Sequence, residues 1–177
     1  MGVPTAAEGP ATTLLSLYDG AVVEVHGYLL ARCRNREAAE ELTAEVFMGA
    51  VDSISRSTVS EVTTAWLIGI ARHKLVDHWR RAEREQRRLH AVVDDPTVDQ
   101  AENDPWDVQL DVLAARDALE RLGAKHRAAL TLRYLDGLSV PEVAAVLERT
   151  VHATEALLVR ARRAFRKTYD SGEGRRA

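Results

Sequence analysis

Between Arg72 and Arg88 the chain carries Arg72, Lys74, Arg80, Arg81, Arg84, Arg87 and Arg88 against Asp77, Glu83 and Glu85. Fixed cations in such a run can neutralise a phosphate backbone, a salt-dependent chemistry of binding rather than of bond making. Just upstream, in TTAWLIGIARHKLVDHWRR, Trp66 adds an aromatic ring of the kind on which an unpaired base can stack. A second basic cluster, Arg160, Arg162, Arg163, Arg166 and Lys167, follows His152, Glu155, Ala156 and Val159. Small and polar groups at the start of a helix can reach base edges while arginines along its length hold phosphates. The plain alternative for either cluster is a solvated basic helix face.

Other chemistries find no support in the residues. His73 and His78 are too far apart around a helix to converge on a metal as HExxH does, and His26 and His126 read as ordinary helix residues, so no metal site is expected. Cys33 is the lone cysteine, which excludes an internal disulfide and a cysteine-based zinc site and points to a reducing compartment. There is no GxxxxGK[ST], no GxSxG and no convincing carboxylate pair, so neither an enzyme nor a cofactor is expected. The start, MGVPTAAEGPATT, lacks the basic and apolar regions of a secretory signal, and no apolar run approaches the ~20 residues of a membrane span, so a cytoplasmic protein without membrane insertion is expected.

The net charge of −3 conceals an uneven distribution. From Val92 to Leu110 there is no Lys or Arg, while Asp94, Asp95, Asp99, Glu102, Asp104 and Asp107 accumulate between the two basic regions. With Pro96 and Pro105 and little apolar content, this stretch predicts a flexible acidic linker over 91–108. Helical spacing dominates elsewhere, and no run alternates with period two. The reading is therefore all-α: helices near 11–33, 36–53 and 61–90 form an N-terminal domain over 11–90. Helices near 106–122, 124–135, 139–147 and 151–169 form a C-terminal domain over 109–170, with disordered ends at 1–10 and 171–177.

These helices must position the candidate groups. In the third, Ile68, Ala71, Leu75, Trp79 and Ala82 gather on a core face flanked by Leu67 and His78, leaving Trp66, His73, Lys74, Arg80 and Arg81 opposite. Ser139-Val140-Pro141-Glu142 reads as a capping box, preceded by Gly137, which suits a helix end. The turn Glu148-Arg149-Thr150 then leads to a last helix whose Thr154, Leu157, Leu158, Ala161, Ala164 and Phe165 face inward, in the proportions of a helix-turn-helix. The second helix carries Glu37, Glu41 and Glu45 as an acidic ridge, with Ala39, Leu42, Val46 and Phe47 near its apolar side. Such a ridge is a candidate partner surface.

With AAEELTAEVF, AWLIGIARHKLVDHWRR, the acidic stretch and RYLDGLSVPEVAAVLERTVHATEALLVRARRAFR in this order, the chain resembles an extracytoplasmic-function (ECF) sigma factor over about Leu14 to Tyr169. The resemblance implies a first domain, region 2, that binds the β′ clamp helices of RNA polymerase core and opens the −10 promoter element. It implies a second, region 4, that reads the −35 element, works with the β flap and follows a linker threaded through the core. Promoter DNA, polymerase core and an anti-sigma factor are the implied partners. By position, Glu41, Leu42, Ala44, Glu45, Val46 and Phe47 fall in the core-binding helix. Trp66, Arg72, His73, Lys74, Arg80 and Arg81 fall to the −10 element, His73 standing where many members have an Asn that lines a pocket for a flipped base. His152, Glu155, Ala156, Val159, Arg160, Arg162 and Arg163 fall to the −35 element.

The chain departs from the family pattern at Ala44, where Gln is frequent, at Glu155 and Leu157, where basic residues are frequent, and at Glu148, which replaces a turn Gly. A carboxylate at a base edge can accept from cytosine N4, so Glu155 is expected to select a C·G pair. The same departures keep open a sigma-like adaptor or antagonist that binds polymerase without reading promoters, and a helix-turn-helix repressor is a third reading. For Trp66 two roles stand: stacking on opened DNA, or propping the loop before it.

Overall fold

The computed structural model describes residues 9–89 and 112–173. Among them every regular element is helical, as the periodicity predicts. The proposed linker and most of the two expected disordered ends lie outside the described residues, while Pro10 opens the first helix and residues 171–173 continue the last. The chain divides into two compact units, Met1–Asp77 and His78–Ala177.

In the first unit, α1 (Pro10–Cys33) begins with proline in its first turn, where the missing N–H costs nothing, and ends at Arg34 in left-handed backbone. Asn35 follows at once as the N-cap of α2 (Arg36–Ser55), its Oδ1 accepting from the Ala38 N–H at 3.1 Å. A connection this short makes α1 and α2 an antiparallel hairpin. Leu14, Ala21, Val25 and Leu29 of α1 and Ala39, Leu42, Val46 and Ala50 of α2 are buried, and Tyr18 meets Phe47 edge-on at 5.0 Å. The loop after α2 is anchored by buried Val62. Thr63 caps α3 (Thr64–Leu89) by accepting from the Trp66 N–H at 3.2 Å.

The core face of α3 is centred on Leu67, Ala71, Leu75, Val76 and Trp79, all buried. Leu67, expected only at the flank, and Val76, not expected at all, are fully packed, while Ala82 is exposed.

The second unit contains the end of α3 with α4 (Val112–Glu120), α5 (Ala124–Leu130), α6 (Val140–Leu147) and α7 (Val151–Glu173). Its core joins Ala118, Leu122 and Leu130 to Ala161, Phe165 and Tyr169, the last two rings stacked at 5.9 Å. The helix expected over 124–135 changes character halfway. Thr131–Leu135 is a π-helical turn, closed by Asp136 N–H donating to the Thr131 carbonyl at 3.0 Å. Gly137 follows with φ +71°, a conformation that suits glycine and reverses the chain before α6.

Candidate functional site

Three helix faces collect the candidate groups, and each is set by local chain geometry. On α2 the heptad-like spacing that buries Leu42 and Val46 at 1% and 0% exposure turns Glu37, Glu41, Ala44, Met48 and Val51 outward. Of the expected contact set, Leu42, Val46 and Phe47 are buried in the core of the unit in the free chain. Their task is to seat the helix. The available ridge is Glu41, Ala44 and half-exposed Glu45, extended by Met48 at 72% exposure and by exposed Val51. Met48 and Val51, outside the expected set, continue the Glu41 and Ala44 stripe at helical spacing.

Glu45 and Lys74 form a partly buried ion pair at 3.1 Å. The pair joins α2 to α3, so one candidate of the polymerase set and one of the DNA set hold each other. On α3, winding at roughly 100° per residue places Trp66, Ile70, His73, Asp77, Arg81 and Arg84 in one stripe. His73 and Arg81 are exposed and Trp66 is half-buried. Arg72 points roughly 120° away from Trp66 and does not share that stripe. Arg80 is engaged, its Nη2 donating to the Leu147 carbonyl at 3.2 Å. The stripe thus offers a ring, an imidazole and cations in succession, which suits bases at one end and phosphates at the other.

The third face is the helix-turn-helix of α6 and α7. The predicted capping contact forms: Glu142 Oε2 accepts from the Ser139 N–H at 2.7 Å and from its hydroxyl at 2.6 Å. Glu148 closes α6 in left-handed backbone, φ 55°, and Thr150 caps α7 through Oγ1 accepting from the Ala153 N–H at 3.2 Å. Thr154, Leu157, Leu158, Ala161 and Phe165 are buried as expected, so Leu157 has no room for the cation frequent at its place. One outward stripe holds His152, Glu155, Ala156, Val159, Arg163 and Arg166. His152 Nδ1 and Glu155 Oε2 lie 3.9 Å apart on the exposed side. Arg162 turns aside to donate to the Tyr134 hydroxyl at 3.2 Å. Arg160, at the other margin, lies near enough to His126 to help hold that imidazole below its ordinary pKa, behind the larger effect of burial.

Among the described residues no cluster of His, Cys, Asp and Glu could hold a metal ion, and no helix is long and apolar enough to cross a membrane. What the faces offer is recognition of extended partners.

Comparison with known families matches the Sigma-70 region 2 model over residues 17–85 and the Sigma-70 region 4 model over residues 113–165, in that order along the chain. The chain belongs to the sigma-70 family of sigma factors. This sigma factor is similar to ECF RNA polymerase sigma factor BldN of Streptomyces coelicolor, 32% identical over 161 residues that cover 90% of this chain and 61% of BldN. It is also similar to SigL of Mycobacterium tuberculosis, 28% identical over 165 residues covering 91% of this chain and 93% of SigL. In fold, the sigma factor is similar to RpoE of Bartonella quintana, solved with the anti-sigma factor NepR. The TM-score is 0.54 at 20% identity, over 90% of this chain and 96% of that one. Region 2 of the sigma factor thus contains the α2 ridge and the Trp66 stripe, and region 4 the helix-turn-helix.

Proposed function

We propose that this protein is an alternative sigma factor that directs polymerase core to a restricted set of promoters. It binds core through the Glu41, Ala44, Glu45, Met48 and Val51 ridge of α2, opens the −10 element with the Trp66, His73 and Arg81 stripe, and reads the −35 duplex with the start of α7. The observation that carries this reading is that the two sigma models match in order, region 2 over the helices that bear the α2 ridge and the α3 stripe and region 4 over the helix-turn-helix.

The mechanism is noncatalytic. Unstacking a base costs a few kcal/mol, and stacking it on an aromatic ring returns about 1–3 kcal/mol. In this reading Trp66, partly exposed near the start of α3, supplies such a platform, and His73 two turns on faces the same side. Phosphate contacts from Arg81, Arg84, Arg163 and Arg166 add a term that weakens with salt. On α7 the Glu155 carboxylate is set to accept from a cytosine amine, with Ala156 and Val159 offering apolar contact. An anti-sigma factor is a fitting regulator, since the fold is similar to a protein solved with one.

Purified protein added to polymerase core with a genomic DNA library, followed by mapping of transcript starts, tests the reading. Starts sharing a −35 and a −10 element are expected. An absence of specific starts overturns it, and core binding without starts favours an adaptor or antagonist, the reading that Ala44 and Glu155 keep in play.

A further inference from the structure

In the second unit the last turns of α3 make contacts that promoter binding does not explain. Trp79, Arg80 and Glu83 lie on one side of the helix at spacings of one, three and four residues. The Arg80 guanidinium donates to the carbonyl of Leu147, the last residue of α6, at 3.2 Å. Glu83 Oε1 accepts from the N–H of Ala124, the first residue of α5, at 3.2 Å. The Arg127 guanidinium of α5 covers the Trp79 ring at 4.4 Å.

The charges match the backbone they meet. The C-terminal carbonyls of a helix carry partial negative charge and the N-terminal amides partial positive charge, and each needs an outside partner. A cation therefore sits at the end of α6 and a carboxylate at the start of α5, where the N-cap residue, Gly123, has no side chain to do the work. The α6 end that Arg80 occupies is the turn of the helix-turn-helix itself. From these contacts the geometry points to a latch: the Trp79–Glu83 segment of α3 grips α5 and α6 in the free protein and withholds Arg80 from DNA phosphate until it is released. This rests on the sigma-factor reading for its DNA target.

Gly123 gives the latch a release point. A Cβ there would come within 2.8 Å of Glu83 Oε1, the far end of a flexible side chain, and the Gly123 backbone, φ −58° and ψ 150°, accepts alanine without strain. Gly123→Ala should therefore push the carboxylate off Ala124 while leaving the fold intact.

The test uses the full-length chain without polymerase, in four forms: wild type, Gly123→Ala, Glu83→Ala and Gly123→Ala with Arg80→Ala. Amide hydrogen exchange over 121–127 reads the latch. Affinity for a labelled mixed-sequence single-stranded oligonucleotide reads its effect. If the latched form dominates, exchange at Ala124 rises in both single variants and their oligonucleotide affinity rises by about 3–10-fold, because a larger fraction is competent to bind. Adding Arg80→Ala to Gly123→Ala removes that gain. Equal exchange in wild type and Glu83→Ala overturns the latch outright. Faster exchange without an affinity gain shows a contact that withholds nothing and overturns its inhibitory role. A gain that survives Arg80→Ala overturns Arg80 as the withheld group. Failure of the sigma-factor reading itself would show separately, as an absence of promoter starts with polymerase, while the exchange result stood.

Discussion

Replacing Leu42 and Met48 in turn by alanine separates seating from contact on α2. Leu42 is 1% exposed, and trimming a leucine from a packed site costs about 2–5 kcal/mol. A unit of this size loses roughly 4–8 °C of Tm per kcal/mol, so Leu42→Ala should lower the midpoint by about 8 °C or more. Met48 is 72% exposed in the free chain, and burying a whole methionine side chain is worth about 1.5–3 kcal/mol. Covering the exposed part against polymerase core is then worth roughly 1–2 kcal/mol, or about 5–30-fold in Kd. Circular dichroism melts and anisotropy titration of labelled protein with core give the two readouts. Met48→Ala should melt like wild type and bind core more weakly, while Leu42→Ala, below its lowered Tm, should keep most of its affinity. A Leu42→Ala protein with an unchanged Tm and lost core binding, or a Met48→Ala protein with a lowered Tm and intact binding, would refute the assignment.

Three further outcomes follow from side chains already placed. The His126 pKa lies below its ordinary value of 6.5 because burial disfavours the imidazolium, with Arg160 and Lys125 acting in the same direction and Glu83 against them. The unfolded chain therefore takes up this proton at higher pH than the folded one, so the contribution of His126 is full above pH 6.5 and is lost as pH falls below it toward the folded pKa. Denaturant midpoints measured across that window should fall with acidification in wild type and flatten in His126→Gln. Thr63→Ala removes the cap on the Trp66 amide and should cost about 1 kcal/mol in urea unfolding. Glu155→Ala should erase a preference for C·G at one −35 position, worth about 1–3 kcal/mol of discrimination, when binding is compared across a randomised promoter set. Unchanged relative affinities would rule the carboxylate out as a base reader.

Sequence periodicity was enough for the helices because long amphipathic segments with polar caps leave little choice of conformation. Ser139 and Gly137 marked boundaries by chemistry that acts locally. The π-helical turn at Thr131–Leu135 was not legible, since an inserted residue disturbs an apolar stripe by less than the spread of its side chains. The candidate face of α7 could be read from spacing alone because Thr154 and Leu158 fix its rotation. On α2 the family resemblance names Leu42, Val46 and Phe47 by their place in a motif, and their burial in the free chain depends on how α1 packs against α2, which a motif does not encode. The pairing of Glu45 with Lys74, and of Arg80 with Leu147, depends on tertiary placement that no local pattern encodes.

The helix ends at Arg34 and Glu148, with φ of 53° and 55°, bear on how long a molecule survives in a cell. A side chain in left-handed backbone costs roughly 1–2 kcal/mol relative to glycine, and 1 kcal/mol changes the unfolded fraction about five-fold. Proteases draw on that fraction, so each of these residues shortens the lifetime of its own unit. The abundance of this regulator is thus set partly by the backbone at two helix ends, and glycine at either place would give a longer-lived protein whose signal decays more slowly after synthesis stops.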